Sequence, residues 1–410
     1  MAKNGLVPQN VVVSHRGADR IRAGHVWVYQ SDIVDATGAT PGALVIVTES
    51  SGDRGSRPNR AERNTRAIRT LGTAFYSSSS QIALRMISQK PVEDIERFVR
   101  ERILAAIVYR ERFVQNTNAY RVIFSEADFL PGLIVDKYND VLTIQVLTQA
   151  MDSDRIRQIV LSELIERIQP QSIIERVDAR VRKLEQLPEK TTGLIFGEKS
   201  ATEFQMNGVR FVYDALSGQK TGAFLDQREN YAVAAQYARG EALDVFCYQG
   251  SFALHLARTC ENVTGVDSSR PALEAAEQNA KSNGREIEWI EANAFDLLRD
   301  YADSGRKYDT IVLDPPAFAK GKRDVATALR GYKELNLRAL KMLRPGGILV
   351  TCSCSHHVSA FDLLETVTSA ALDSHRIIRI LENRGAAKDH PNVLGIPETS
   401  YLKCHILLVS

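Results

Sequence analysis

From residue 11 to residue 88 the chain runs through short stretches of apolar positions broken by polar and glycine turns: VVVSHRG, HVWVYQSDI, GALVIVTE, TAFYS and QIALRMIS. Such runs predict strands, and the simplest arrangement is one small β-rich domain over residues 1–89. The period changes at Pro91. From there Ile95, Phe98, Val99, Ile103, Ile107 and Val108 recur at helical spacing among charges to about Gln115, which predicts an amphipathic linking helix. Strand pattern returns in YRVIFSEAD, LPGLIVDKYND and VLTIQVLT, with turn signals at Pro131-Gly132 and Asn139-Asp140. A helix over residues 152–168, ended by Pro170, and further strands in SIIERVD and GLIF complete a central α/β domain over residues 90–206. GVRFVYDAL leads into the last domain.

In the remainder, residues 207–410, strand and helix alternate: ALDVFC, a helix from Ser251, NVTGVDSS, a helix from Pro271, IEWIEANA, YDTIVLDPP, a long helical stretch, then GGILVTCSCS. Alternation with short loops predicts an α/β, Rossmann-like domain, a mostly parallel sheet with helices on both faces. Ligands in such sheets sit at the carboxyl ends of the strands, so the residues that follow each strand carry the information.

The bulk properties add exclusions. A chain of 410 residues, 44% hydrophobic and 25% charged, is too long for one core and has an ordinary globular composition. It contains no run of 18 apolar residues, so a membrane span is not expected. Met1 to Asn10 lacks the basic and apolar segments of an export signal, and a cytoplasmic location is the expectation. The five cysteines, all beyond residue 246, suit reduced thiols better than a disulfide framework, and with neither paired CxxC nor HExxH no metal is expected. The net charge of +2 decides nothing about nucleic acid. Six arginines at positions 54, 57, 60, 63, 66 and 69 against one acid, Glu62, read as a solvated loop that is able to touch phosphates.

Four strand ends carry chemistry. Asp244 to Gly250 is a strand entering a tight turn, where a glycine admits a ligand close to the backbone. Asp267 ends the second strand 23 residues after Asp244, the place from which a carboxylate accepts hydrogen bonds from a ribose diol; helix capping is the alternative, for which Ser268 and Ser269 also qualify. Asn293 and Phe295 end the third strand with an amide and an aromatic suited to an adenine ring. The fourth ends in Asp314-Pro315-Pro316-Ala317-Phe318. Two prolines have no place inside a strand ladder; they make a stiff loop that holds Asp314 at the sheet edge. In nucleic-acid methyltransferases such a loop grips a planar base. The fifth strand ends in Thr351-Cys352-Ser353-Cys354-Ser355, and at most one of its two cysteines is expected to face the base. A thiolate there adds to C6 of a pyrimidine and makes C5 nucleophilic.

With these motifs the chain resembles, over nearly its full length, the bacterial 23S ribosomal RNA cytosine-5 methyltransferases typified by methyltransferase I. The resemblance rests on Ser125 to Leu133, Gln219 to Arg228, Asp244 to Gly250, Asp314 to Phe318, the TCSCS run, and His390-Pro391 through Pro397 to Leu402. It implies an N-terminal PUA-like RNA-binding domain, to which His25-Val-Trp27-Val-Tyr29 would belong, a central α/β domain and a C-terminal methyltransferase domain. It also implies S-adenosylmethionine as cofactor, bound by Phe224, Gln227, Phe246, Gly250, Asp267, Asn293 and Asp314. By position after Gly346-Gly347, Cys354 matches the family nucleophile, with Cys352 in reserve. Asn293 stands where an aspartate is common, and the arginine-rich insertion is longer than the family leads one to expect.

On this reading a cytosine is flipped into the cleft, Asp314 holds its N3 and amino edge, Cys354 attacks C6 and C5 takes the methyl group, while the base that removes the C5 proton is unnamed. Two other readings stay open: a purine N-methyltransferase, which needs no cysteine, and a noncatalytic RNA-binding assembly factor. A nicotinamide oxidoreductase stands further off, because the pyrophosphate-binding glycines are mostly missing. The target nucleotide and the oligomeric state, a homodimer included, are left open.

Overall fold

The computed structural model describes residues 9–50, 69–216, 223–319 and 321–410. Arg54 to Arg66 of the arginine-rich insertion and Gln219 to Gly222 of the Gln219–Arg228 motif lie outside the described residues. The chain groups into two compact units, one drawn from residues 1–113, 121–200 and 392–399, the other from 114–120, 201–391 and 400–410.

The first half of the chain forms β1 (Gln9–Val13), α1 (His15–Arg22), β2 (Trp27–Tyr29), β3 (Ile33–Asp35), β4 (Leu44–Glu49), β5 (Thr70–Tyr76), β6 (Ile82–Ser88), α2 (Ile95–Phe113), β7 (Ala119–Phe124), β8 (Leu133–Tyr138), β9 (Val141–Val146), α3 (Asp154–Ile168), β10 (Ser172–Glu175), α4 (Ala179–Leu184) and β11 (Gly193–Phe196). They build a six-stranded sheet in the order β2-β6-β5-β4-β1-β3 and a five-stranded one in the order β11-β10-β9-β8-β7. The single strand expected over VVVSHRG divides in two. It stops at Val13, and Ser14 caps α1 by accepting the Gly17 N–H at 3.2 Å. Because α1 buries only Gly17, Ala18 and Ile21, its apolar repeat is too short to register as a helix in the sequence. Trp27 is half-buried and its indole donates to Glu126 at 3.0 Å. The rest of the Ser125–Leu133 motif is turn chemistry: Asp128 accepts the Phe124 N–H at 2.6 Å and pairs at 2.5 Å with Arg110, a buried guanidinium on α2.

The second unit opens with the hairpin β12 (Ala201–Met206) and β13 (Val209–Asp214), whose Asn207-Gly208 turn has φ of 53° and 79°, the left-handed pair of a type I′ turn. A boundary at 206/207 falls inside that turn, and both strands group with residues 201–391. There follow α5 (Arg228–Tyr237), β14 (Glu241–Val245), α6 (Ser251–Leu256), β15 (Asn262–Asp267), α7 (Arg270–Ser282), β16 (Glu288–Glu291), α8 (Ala294–Asp303), β17 (Tyr308–Leu313), α9 (Val325–Met342), β18 (Leu343–Ser353), α10 (Ala360–Asp373), β19 (Ile378–Arg384) and β20 (Lys403–Val409). The sheet order is β16-β15-β14-β17-β18-β20-β19; β14 to β18 are parallel, and β20 runs antiparallel between β18 and β19. Strand order reverses between β14 and β17, which opens a crevice at their carboxyl ends. Leu243, Val245, Ile311, Leu313 and Leu349 of the sheet pack with Leu297, Leu335, Leu340 and Val367 of the helices to hold those ends fixed.

One buried charge pair anchors the entry to this domain. Arg228, at the start of α5, lies 2.8 Å from Asp389, and both side chains are almost fully buried. Removing Asp389 leaves the buried Arg228 guanidinium with Glu229 at 3.6 Å as its remaining counter-charge, and breaking a buried pair typically costs about 3–5 kcal/mol. Asp389→Ala is therefore expected to lower the unfolding free energy of this unit, measured in urea melts, by that amount, and the midpoint with it. The chain has two tryptophans, so in a Trp27→Phe background the emission of Trp289 reports the unit containing it. An unchanged midpoint would show that the pair is not an anchor.

Candidate active site

The loop after β14 is built in an unusual conformation. Phe246, Tyr248 and Gly250 have φ of 67°, 50° and 81°, so three alternate residues sit in the left-handed region and two of them bear side chains. Such strain persists only where surroundings fix it. Here the Phe246 and Cys247 N–H groups both reach the Val266 carbonyl, at 2.9 and 3.0 Å, and the Tyr248 N–H reaches Asp267 Oδ2 at 2.9 Å. Gly250 and Gly265 leave room for Trp289: a Cβ on Gly250 would stand 2.7 Å, and one on Gly265 2.4 Å, from its ring. The N–H of Ala253 in α6 is taken by Asp244 Oδ2 at 2.8 Å rather than left for a ligand.

Asp267 also accepts the Ser269 N–H at 2.9 Å, while Ser269 itself caps α7, so the cap considered for this stretch falls to the serine. Asn293 is different. Its Oδ1 accepts the Phe295 and Asp296 N–H groups at 2.9 and 3.3 Å, making it the N-cap of α8, and its amide NH2 is the end that remains for a ligand. Phe295 lies 6.0 Å from Phe318, and Phe318 lies 4.8 Å from Tyr332, centroid to centroid, so aromatic rings line this side of the crevice. Across it Phe224 meets Tyr248 edge-on at 5.2 Å.

Asp314 emerges from β17 and accepts from Gln227 Nε2 at 3.0 Å. Gln227 is oriented by Asn230, which donates to its Oε1 at 2.6 Å and to the Gly385 carbonyl at 3.0 Å. The two cysteines differ in setting. Cys352 is fully buried in β18, paired across the ladder with Cys404, and burial followed by that neighbour pushes its thiol far up. Cys354, one step past the strand, is half-buried with Sγ 3.9 Å from the Pro315 carbonyl. The structure thus brings the Asp-Pro-Pro loop against Cys354.

Several residues here gave no clear sequence signal. Ser353 and Ser355 both bond the Tyr332 hydroxyl, at 2.9 and 3.0 Å, and Ser355 accepts the Ala319 N–H at 3.2 Å, which ties the cysteine loop to the Asp-Pro-Pro loop. Lys403 is buried and donates to the carbonyls of Ser355 and Tyr401 at 2.6 and 2.8 Å. Asp226 accepts the Tyr401 hydroxyl at 2.6 Å. These contacts join residues far apart in sequence, so no local spacing announces them.

Comparison with known proteins places this geometry. A family model described as S-adenosylmethionine-dependent methyltransferase matches residues 148–398, and one described as a PUA-like domain matches residues 11–54. The ribosomal RNA large subunit methyltransferase I of Shewanella denitrificans is 36% identical over 391 residues, 92% of this chain and 94% of that protein. That of Tolumonas auensis is 41% identical over 345 residues, covering 81% and 86%. The chain belongs to this family of S-adenosylmethionine-dependent methyltransferases. In fold, a methyltransferase solved with S-adenosylhomocysteine gives a TM-score of 0.80 at 17% identity, covering 97% of this chain and 99% of the other; a methyltransferase from Streptococcus mutans gives 0.78 with the same identity and coverage.

The residues present fit the cofactor of this methyltransferase family. Asp244 is buried, and among the described residues its Oδ1 has no hydrogen-bond partner. Burial first, then the charges of Asp314 and Asp267, push its carboxyl up to about 8. Burial and then the charge of Asp226 push Asp314 up to about 7, against its bonds to Gln227 and Cys352. A cluster of carboxylates short of cations suits a ligand with a sulfonium and an ammonium group, and Asp267 at the end of β15 suits its ribose. Both pKa values are raised, so the cofactor-free fold keeps protons that the unfolded chain gives up. Its stability therefore falls as pH rises from the ordinary carboxylate range through about 7 and about 8. A cationic ligand reverses the shift at Asp244, and binding expels its proton. We expect S-adenosylmethionine affinity to rise between about pH 6 and about pH 8.5, with net proton release in calorimetry at neutral pH in buffers of different ionisation enthalpy. A flat affinity without proton release would contradict this.

Proposed function

We propose that this methyltransferase forms 5-methylcytosine in 23S ribosomal RNA through a covalent bond between Cys354 and C6 of the base. The observation that carries the reading is the approach of Cys354 Sγ to the Pro315 carbonyl in the Asp-Pro-Pro loop, 3.9 Å, with Asp314 at the head of that loop. A purine N-methyltransferase has no use for a thiol at that point. The relatives' shared name, ribosomal RNA large subunit methyltransferase I, supports the RNA substrate. A PUA-like domain over residues 1–89, a central domain over residues 90–206 and a methyltransferase domain over residues 207–410, with the β12–β13 hairpin moved to the last, is the division of labour we infer.

In this reading Phe224, Gln227, Phe246, Gly250, Asp267, Asn293 and Asp314 form the cofactor site with Asp244. When bound, the cofactor supplies the methyl group to C5. Asp314 has a carboxyl close to neutral pH, so it is able to donate a proton to the cytosine N3 as C6 is attacked. Cys354 needs activation, because burial and then the charges of Asp314 and Asp226 push its thiol up to about 11. Lys403 opposes them. Burial brings its own ammonium down to about 8, and its charge favours the Cys354 thiolate. Neutralising the carboxylates with a cationic ligand removes the repulsion that keeps the thiol protonated. Cys352, buried beside Cys404 and bonded to Asp314 and Gln227, positions Asp314 in this account rather than attacking the base.

Mass-spectrometric mapping of modified nucleosides in ribosomal RNA from a deletion strain checks the assignment. One 5-methylcytosine is expected to disappear and to return with the wild-type gene and with Cys352→Ser, but not with Cys354→Ser. Loss of a methylated purine, or restoration by Cys354→Ser, would overturn the chemistry and leave the methyltransferase fold in place.

A further inference from the structure

The reaction requires a base for the C5 proton, and this inference rests on the cytosine-C5 reading above. We infer that Asp226 is that base. It lies in the 3-10 turn Leu225–Gln227, one residue from the Gln227 that holds Asp314. Two short chains of contacts lead from it to Cys354. The first runs through Gln227 to Asp314 at 3.0 Å and along the loop to the Pro315 carbonyl, 3.9 Å from Sγ. The second runs from Asp226 Oδ2 to the Tyr401 hydroxyl at 2.6 Å, then from the Tyr401 carbonyl through Lys403 Nζ at 2.8 Å to the carbonyl of Ser355 at 2.6 Å, next to Cys354. The Asp226 backbone is pinned as well, its carbonyl accepting the Ala387 N–H at 2.7 Å.

The other carboxylates of the cluster are committed elsewhere. Asp267 spends both oxygens on the N–H groups of Tyr248 and Ser269. Asp244 is sealed in the sheet against Ala253. Asp314 is held by Gln227 and is needed at the base edge. Asp226 is half-buried, and among the described residues its Oδ1 accepts no hydrogen bond, so one oxygen is fixed by tyrosine while the other stays available. Its charge is felt at Cys354 and at Asp314 alike.

The step balances. After the methyl group is in place, C5 carries the methyl and a hydrogen, and C6 carries Sγ. Asp226 takes the C5 hydrogen as a proton; the C–H electron pair restores the C5–C6 double bond and the C6–S bond breaks, releasing Cys354 as thiolate. The protonated carboxyl then returns its proton to solvent.

Without the base, the enzyme stalls after methylation with RNA attached. The experiment uses the full chain, S-adenosylmethionine and two transcripts of large-subunit ribosomal RNA, one ordinary and one with cytidine replaced by 5-fluorocytidine. On fluorinated RNA, wild type and Asp226→Asn both form a complex that survives denaturing electrophoresis, since fluorine cannot leave as a proton. On ordinary RNA, Asp226→Asn turns over about 10²–10⁴-fold more slowly and accumulates the same complex, linked at Cys354 and carrying the methyl group, whereas Asp226→Asn with Cys354→Ser forms none. Asp226→Glu recovers part of the turnover. If wild type fails to trap on fluorinated RNA, the cytosine-C5 reading falls. If wild type traps but Asp226→Asn does not trap there, or turns over ordinary RNA slowly without accumulating the complex, or turns it over at the wild-type rate, Asp226 is not the base.

Discussion

The methyltransferase domain depends on an electrostatic debt: Asp244, Asp267 and Asp314 stand together at the carboxyl ends of β14, β15 and β17, Asp226 of the Leu225–Gln227 turn adds its charge at Asp314, and burial raises Asp244 and Asp314 with no cation among the described residues offsetting it. Burying like charges together is costly, and the free protein meets the cost by keeping protons on Asp244 and Asp314 at pH values where exposed carboxyls have lost them. A sheet that brings these strand ends together has in effect fixed the sign of its ligand. Cofactor binding, the protonation of Asp314 and the basicity of the Cys354 thiol are then parts of a single charge balance.

Around that cluster the structure is held by contacts that leave little freedom. The left-handed residues Phe246 and Tyr248 are fixed by the Val266 carbonyl and by Asp267, so the acid of the second strand shapes the loop after the first. Gln227 is set by Asn230, and the helix they enter is anchored by Arg228 against Asp389. Tyr332, with Ser353 and Ser355, joins the cysteine loop to the Asp-Pro-Pro loop. Each of these ties links residues of two loops, which is how a site built on loops keeps its geometry.

Much of this was legible in the sequence. Alternation after residue 222 gave the parallel sheet, because strand-helix units with short loops have few other ways to pack. Strand ends single out Asp267 and Asp314, since a parallel sheet puts its ligands there, whereas Asp244, inside β14, enters the sequence reading only as the start of the turn motif. Alternation within Thr351–Ser355 does not by itself tell the two cysteines apart, because Cys352 bonds Asp314 while Cys354 meets the Pro315 carbonyl. Other parts were hidden for physical reasons. α1 is short and largely polar, so no periodicity marks it. β19 and β20 went unread, although β20 carries Lys403, because a strand's neighbours are set by topology and not by its own pattern. Tyr332, Tyr401 and Asp226 act through partners 21 to 175 residues away, a distance that a single chain does not reveal. Asn293 shows the reverse: an amide expected to meet adenine spends its oxygen on capping α8.

The charge balance itself is tested most directly at Asp244, whose Oδ1 is buried without a partner among the described residues. Thermal melts of wild type and Asp244→Asn, with and without saturating S-adenosylmethionine at neutral pH, separate the two sides of the balance. The account predicts that the asparagine variant, relieved of a carboxyl that must hold its proton, melts at or above wild type without ligand and gains much less from the cofactor. A variant that melts lower when free, yet is stabilised by the cofactor as much as wild type, would contradict it.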